Sequence, residues 1–559
     1  MIVASYIAKF LRDHGVTQVF GFDGSMMLKI ADEIDLLDGI EYLQNFHEQA
    51  SAFAADAYGR TKNTMGVALV TSGPGAINSL AGCGDAYLDS IPLLIITGND
   101  RLSHINSNPG VRLNGFQDLD IVSVARPITK YAVQITDPAK LAYELEKAVF
   151  LANEGRKGPV LIDVPMDIQF AEVPEDMEHY DITNNIPEVA VCTIEAVCQE
   201  LYAAKRPVII AGGGIQVANA RAELEQFVDA TNIPVVTTLN GHGATGLSLG
   251  ASGFYGLPEA NLALYYADVI LALGTRFGEQ QCGKFSDKYT RGKIIHVDID
   301  EKEFNRALSA YLEVWADVRE FLARMNYTVV PEKLANFDEW YSHICGFGEK
   351  YNHLLRVNSN ALDPLRVVEY IGLSVPDDTI FTNDVGQNTM WVCQGLRPRG
   401  TQRLLTSSGY ASMGFSVPAA IGAKTALPEH TVVSFSGDGG FQMNLQELQY
   451  VKLHKLNIKF VVFNNNTLGM MREVQRIYYN NNFVGSNEQA FSCVDLEKLA
   501  QVYDLEYLAV NSELDFSMLE EFLSHHRAGI IDCRLPIDTY VKNWNEFMQE
   551  HPEAFTYEV

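Results

Sequence analysis

The chain has 559 residues, 47% hydrophobic and 20% charged, which is ordinary globular composition and length enough for about three or four domains. Its 42 basic and 70 acidic residues give a net charge of −28. Such a surface repels phosphate backbones and anionic lipid, which argues against a nucleic-acid or membrane-surface protein. A small anionic substrate remains open, because a local pocket can oppose the net field.

The N-terminus, MIVASYIAKFLRDHGV, carries Lys9, Arg12 and Asp13 at helical spacing among apolar residues. It predicts an amphipathic first helix rather than a secretory leader. No apolar run reaches the roughly 18 residues of a membrane span. Eight cysteines are scattered with no CxxC pair, which predicts reduced, mostly buried thiols in a reducing compartment. The expectation is a soluble cytoplasmic protein.

Short β-branched or aliphatic runs then alternate with helical patterns. They lie at 16–22, 66–73, 92–98, 158–164, 207–213, 268–274, 292–299, 431–437 and 458–465. Runs apolar on both faces and separated by helices predict parallel sheets covered on two sides. Polar breaks at 171–189 and 329–366 divide the chain. The reading is α/β, three consecutive parallel-sheet domains at about 1–170, 190–328 and 362–535, with a tail at 536–559. Units one and three could be related folds, on strand–helix alternation alone.

Ligand positions are expected at the carboxyl ends of the strands, where helix N-termini and free amides point. In unit three, strand 431–436 runs into Gly437-Asp438-Gly439-Gly440. A helix over FQMNLQELQYVKLHKL follows, then strand 458–463 and Asn464-Asn465-Asn466. In a βαβ unit the two strands are parallel, so Asp438 and Asn465 emerge on one edge and could share a cation. One charged and one neutral oxygen, with water and a diphosphate, suit octahedral Mg²⁺. The glycines let backbone approach phosphate closely. Asp-Gly turns alone are common; the second, Asn-rich strand end is what raises this one.

In unit one, His47-Glu48-Gln49 opens a helix after the short strand 41–45. A carboxylate at a helix start is stabilised by the dipole, and a plain helix charge is the bland alternative. TSGPGAINSLAGCGDAYLDS (71–90) is a second strand-to-helix junction, with a Gly-Pro-Gly turn.

At this point the residues match a family. The sequence resembles, over nearly its full length, thiamine diphosphate enzymes of the acetohydroxyacid (acetolactate) synthase type. These carry a pyrimidine-binding domain, a central domain and a diphosphate-binding domain. The family's Gly-Asp-Gly to Asn-Asn motif corresponds to Gly437-Asp438-Gly439 and Asn464-Asn465, with 465 − 438 = 27 positions between ligands. His47-Glu48-Gln49 matches the helix start of its catalytic glutamate. Segments 71–98, Phe116-Gln117, Thr129-Lys130, Asp384-Val385-Gly386-Gln387 and Gly409 to Phe415 match as well.

The resemblance implies roles. Thiamine diphosphate carries the carbon chemistry, and the protein binds, orients and tunes it. Asp438, Asn465 and the Thr467 main-chain oxygen would hold Mg²⁺. Gly386, Gln387, Asn388, Gly437, Gly439, Gly440, Leu468, Gly469 and Met470 would surround the diphosphate half, with Gln387 on phosphate oxygens. Gly24, Pro74, Asn78, Tyr410 and Met413 would complete the cofactor site, Met413 beneath its bend. Glu48 would share a proton with the pyrimidine ring nitrogen. Phe116, Gln117 and Lys130 would line the substrate channel. The implied reaction is decarboxylation of a 2-oxo acid, pyruvate as donor, with transfer of a two-carbon unit to a carbonyl acceptor. The implied assembly is a homodimer or homotetramer with Glu48 and Asp438 meeting across subunits.

Three departures matter, two at the acceptor side and one in the flavin pattern. The acceptor-pocket tryptophan of the biosynthetic synthases is Val474 here, and the family's Pro-Gly-Gly turn is Asp23-Gly24-Ser25. Pyruvate, a keto-sugar or another carbonyl are therefore all candidate acceptors. The central unit matches the family's FAD pattern at Gly212-Gly213-Gly214, Thr238-Leu239, Gly253 to Gly256 and Gly274-Thr275-Arg276-Phe277. The second arginine of that pattern is Gln280, and close helix packing explains a glycine-rich strand end equally well. The competing readings are a simple 2-oxo acid decarboxylase or a flavin-dependent pyruvate oxidase-type enzyme. A catalytically silent relative is disfavoured by the presence of Glu48, Asp438 and Asn465. A nucleotide-binding Rossmann reading lacks the full G-x-G-x-x-G spacing.

Overall fold

The computed structural model describes residues 1–556 except 106, 109, 184, 185, 187, 284–288 and 357–360. Its strands form three wholly parallel sheets. The first holds β1 (Gln18–Phe22), β2 (Glu41–Gln44), β3 (Gly66–Val70), β4 (Leu93–Asn99), β5 (Tyr131–Gln134) and β6 (Val160–Pro165). The second holds β7 (Pro207–Ala211), β8 (Val235–Thr237), β9 (Val269–Leu273), β10 (Lys293–Asp298) and β11 (Leu312–Trp315). The third holds β12 (Ile380–Asn383), β13 (Arg403–Thr406), β14 (Val432–Gly437), β15 (Ile458–Asn464), β16 (Glu506–Val510) and β17 (Gly529–Arg534).

The strand orders are β2-β1-β3-β4-β6-β5, β11-β10-β9-β7-β8 and β13-β12-β14-β15-β17-β16. Counted within each sheet, the first and third orders are identical. The relation that alternation only hinted at is thus a shared topology. Interior strands such as β3, β4, β6, β7 and β9 are buried along their whole length, because helices cover both faces.

The contacts divide the chain into two compact units. One comprises residues 1–184, 409–429 and 443–458 and carries the first sheet. The other comprises 185–408, 430–442 and 459–559 and carries the second and third sheets. So two segments read in sequence as parts of the third domain pack with the first.

Small residues explain the first of these. The alanine-rich helix Glu48–Lys62 lies against helix Ser416–Ala426. A Cβ on Gly422 would stand 2.1 Å from the Ala54 carbonyl oxygen, so only glycine allows that approach. Phe53 and Phe415 meet edge to face at 5.4 Å. The first helix, Val3–Asp13, buries Val3, Ala4, Ile7, Ala8 and Leu11, the helical stripe that its sequence predicts.

One expectation needs correction. The helix read as continuous over 441–456 is broken. Asp438–Gln442 is helical, Leu445–Glu447 is a 3-10 turn, and the helix resumes at Leu448–Leu453. Asn444 is the cause: its Nδ2 donates to the Gly414 carbonyl at 2.7 Å, which pulls the chain off the helical path. The stretch after 535, read as a C-terminal tail, carries ordered structure of its own. Asn543 caps helix Trp544–Glu550 with a full capping box, and the Trp544 amide donates to Phe254 O at 2.7 Å.

All eight cysteines are free, five of them buried. Among the described residues no helix is long and apolar enough to cross a membrane.

Candidate active site

In the first unit the site grows from the ends of β1, β2 and β3. His47 has extended backbone, caps the helix Glu48–Lys62 and accepts the Gln49 amide on its ring nitrogen at 3.2 Å. Glu48 is therefore the first residue of that helix, where amide dipoles favour a carboxylate. It is buried, and its Oε2 accepts Asn78 Nδ2 at 3.1 Å.

Around it the backbone comes close. A Cβ on Gly75 would stand 2.7 Å from Thr71 Cγ2 and 3.0 Å from Glu48 Oε1. A Cβ on Gly24 would strike the Thr71 side chain at 2.4 Å. Gly73 has φ +57, and a Cβ there would lie 2.9 Å from the Gln117 carbonyl. So Gly24, the Gly73-Pro74-Gly75 turn, Asn78 and Gln117 gather near Glu48. Phe116 is exposed, with its amide on Asp100 Oδ2 at 2.9 Å. Lys130 is turned to the Glu154 carbonyl at 2.5 Å, and burial lowers its pKa to about 8.

The same unit carries the 409–429 segment. Asp89 Oδ1 accepts the Gly409 amide at 2.8 Å, and the Tyr410 ring lies where a Cβ on Gly84 would approach at 3.0 Å. Met413 sits in the turn that follows, beside Gly414 at φ +86.

In the second unit the site grows from β12, β14 and β15. Asp438 follows β14 and is 2% exposed. Its Oδ1 accepts the Gly439 amide at 2.8 Å, and the Asn466 and Thr467 amides also face the carboxylate. Among the described residues its buried Oδ2 has no hydrogen-bond partner. Burial raises the carboxyl to about 7, against the lowering effect of those amides. A buried, unpartnered carboxylate oxygen is costly unless something cationic meets it.

Asn465 gives its Nδ2 to Gln387 Oε1 at 3.2 Å, which leaves its amide oxygen as the free end. The Thr467 hydroxyl donates to the Ser486 carbonyl at 2.7 Å, so of that residue's oxygens the main-chain one is the candidate to meet a cation. Carboxylate, amide and carbonyl oxygens are the donors a hard divalent cation selects.

The neighbours are packed to match. A Cβ on Gly440 would meet Asp384 Oδ1 at 2.3 Å, and one on Gly469 would meet Gln387 Oε1 at 2.0 Å. Gly386 has φ +127 and Gly437 lies beside Asn388. Gln387 is fully engaged: its Nε2 also donates to Glu473 Oε2 at 3.2 Å and to Thr539 O at 3.0 Å. Asn388 donates to Asn383 Oδ1 and Asp384 O. Gln387 and Asn388 therefore brace the loops after β12 and β15, with their side-chain donors already used. Leu468 opens helix Gly469–Tyr478, which carries Met470 and the half-buried Val474.

In the second sheet, a Cβ on Gly212 would stand 2.1 Å from the Gly274 oxygen, and one on Gly214 2.7 Å from Gly274 Cα. Contact between the ends of β7 and β9 accounts for these glycines. Gly213 lies beside Asn240, and Thr238 Oγ1 accepts the Gly241 amide at 3.1 Å. Leu239 and Arg276 are half-buried in the loops after β8 and β9.

Sequence reasoning missed Glu447 and Glu473. Both are buried carboxylates on short helices that read as ordinary charged surface. Only tertiary contacts reveal them.

Three family descriptions cover this chain. "Thiamine pyrophosphate enzyme, N-terminal TPP binding domain" matches residues 1–124, "central domain" 194–325 and "C-terminal TPP binding domain" 384–533. The chain belongs to the thiamine pyrophosphate enzymes; Glu48 lies in the matched N-terminal binding domain and Asp438 in the C-terminal one. Within that family it is acetolactate synthase-like. It is 34% identical over 520 residues to the acetolactate synthase large subunit of Lactococcus lactis subsp. lactis, covering 90% of this chain and 88% of that one. It is 33% identical over 548 residues to the large subunit of Buchnera aphidicola subsp. Schizaphis graminum, covering 96% and 94%. The isozyme 3 large subunit of Escherichia coli K12 is 34% identical over 518 residues, covering 89% and 88%.

Proposed function

We propose that the protein decarboxylates pyruvate on thiamine diphosphate and joins the two-carbon unit to a carbonyl acceptor. What supports this is a buried helix-start carboxylate, Glu48, in the first unit and a buried carboxylate with one bare oxygen, Asp438, in the second. The likeness to acetolactate synthase large subunits supports carboligation over simple decarboxylation.

When bound, thiamine diphosphate supplies the carbon nucleophile and the electron sink. Asp438 Oδ2, the Asn465 amide oxygen and the Thr467 main-chain oxygen would hold Mg²⁺. Gly437, Gly439, Gly440 and Gly469 leave the backbone open to the diphosphate. Glu48, held by Asn78, would keep a proton at the pyrimidine ring nitrogen. Gly24, Pro74, Tyr410 and Met413 would shape the cofactor's bed. Gln117 and Phe116 would face the substrate; Lys130 would need to leave the Glu154 carbonyl to join them.

Glu48 and Asp438 belong to different compact units, and we assign the working site to Glu48 of one chain and Asp438 of another. A homodimer is then the smallest active form, and a homotetramer repeats it. Valine at 474 and Asp23-Gly24-Ser25 leave room and hydrogen-bonding capacity for a hydroxylated acceptor such as a keto-sugar, beside pyruvate itself. The central unit is the place for FAD, and visible flavin absorbance of the purified protein tests it. Eight free thiols fit a cytoplasmic location.

The test is product analysis by mass after incubation with pyruvate, thiamine diphosphate and Mg²⁺. Acetolactate, or a ligated product once a second carbonyl is supplied, is expected. Acetaldehyde or acetate as sole product would overturn the carboligase reading.

A further inference from the structure

Glu447 is fully buried, and it is used by neither the fold's sheets nor the cofactor reading. It ends the 3-10 turn Leu445–Glu447, in the segment 443–458 that packs with the first unit. Its Oε1 accepts the Phe46 amide at 3.0 Å and its Oε2 accepts Asn45 Nδ2 at 3.0 Å. The His47 amide faces the same carboxylate. Three donors from three consecutive residues thus converge on one side chain 402 positions beyond Asn45.

The next residue in the chain is Glu48. A buried carboxylate lacking an ion pair is an expensive way to close a loop. Burial pushes Glu447 up to about 7, the mark of that cost. A neutral amide in its place has one acceptor oxygen instead of two, so its N–H must face one of these donors, and Asn45 has to turn its unpartnered Oδ1 round to receive it. The carboxylate fixes the peptide planes of 46 and 47, and those planes set where the helix Glu48–Lys62 begins. Asn78 grips the Glu48 head from the other side at 3.1 Å.

We infer that Glu447 is a positioning residue for Glu48: it clamps residues 45–47 so that the Glu48 carboxyl is pre-set for the cofactor. This rests on the reading of Glu48 as the carboxylate that addresses the pyrimidine.

Four variants test it in the full chain: Glu447→Gln, Glu447→Asp, Asn45→Ala and Glu48→Gln. Three quantities are read. They are deuterium exchange at C2 of bound thiamine diphosphate, cofactor affinity with Mg²⁺, and amide exchange of residues 45–47 without cofactor. In Glu447→Gln, C2 exchange is expected to slow about 10- to 100-fold, as for a misplacement near 1 Å. Cofactor affinity should stay within about threefold, and the 46 and 47 amides should lose about 10-fold of their protection. Glu447→Asp, which keeps the charge, should recover part of the C2 rate.

A merely structural role would lower the melting temperature and leave C2 exchange of the bound cofactor unchanged; that result overturns the inference. If Glu447→Gln does not fold, Asn45→Ala removes one donor and should slow C2 exchange about 3-fold or more; an unchanged rate there also overturns it. Glu48→Gln separates the two readings. If it exchanges normally, the role of Glu48 itself is wrong. If it is slow while the Glu447 and Asn45 variants are normal, only the clamp is wrong.

Discussion

Replacing Asp438 by asparagine should make the cofactor-free protein more stable and the enzyme unable to load. The carboxyl is raised from 3.8 to about 7 by burial. Each unit is about 1.4 kcal/mol, so holding the charge at pH 8 costs the folded state about 4 kcal/mol. Asparagine removes that cost and can still accept the Gly439 amide. Its NH₂ then occupies the place of the bare Oδ2 and stays unpaired, which costs about 1–3 kcal/mol. The net gain is about 1–3 kcal/mol, a rise of a few degrees in the melting temperature. A raised carboxyl weakens the fold as pH rises from its unfolded value through its folded one. The stability difference between the wild-type chain and Asp438→Asn should therefore be largest at pH 8 and shrink by more than half at pH 5. Differential scanning calorimetry at both pH values checks this, with titration of thiamine diphosphate and Mg²⁺ alongside. Affinity should fall at least about 100-fold, since a charged ligand is lost. An asparagine variant that melts lower at pH 8 and still binds the cofactor with Mg²⁺ would refute the reasoning.

Gly469→Ala should break the Asn465–Gln387 bond, because its Cβ would stand 2.0 Å from Gln387 Oε1 and 2.7 Å from Asn465 Nδ2. The cost is about 1–3 kcal/mol of overpacking, with Mg²⁺-dependent cofactor affinity falling about 10-fold or more, measured by calorimetry. His242 is buried with its ring between the Leu396 carbonyl and the Thr237 hydroxyl, and burial, with Arg397 nearby, lowers it to about 4. Its unfolded value is near 6.5, so it withdraws about 3 kcal/mol as pH falls from 6.5 to 4; His242→Gln should flatten that limb in urea titrations. Val474→Trp should lower kcat/KM for bulky acceptors about 10-fold relative to pyruvate, read in competition assays.

The sequence exposed the interior of each sheet better than its edges. Runs such as 66–73, 92–98, 207–213 and 268–274 fall on β3, β4, β7 and β9, which are buried on both faces and so read as continuous apolar stretches. β5 and β16, at sheet edges, are half-buried and short, and no such run marks them. Asp438 and Asn465 were legible as candidate ligands because they sit at fixed distances from strand ends. Glu48 was legible because a helix start announces itself through residue type.

Other features came only with tertiary structure. Asn444 breaks a helix through a bond to Gly414, thirty residues away. Glu447 holds a loop some four hundred residues upstream. Gln387 reads as a phosphate contact by resemblance, yet its amide is spent on Asn465, Glu473 and Thr539. Neither periodicity nor spacing encodes such partners.

The most direct test of the account mixes two inactive chains, Glu48→Gln and Asp438→Asn, after dissociation and reassembly. If Glu48 of one chain serves Asp438 of another, half of the dimers are hybrids and each has one intact site of two. The mixture should then recover about a quarter of wild-type activity with pyruvate, thiamine diphosphate and Mg²⁺. A mixture that exchanges subunits and remains inactive would contradict the shared site.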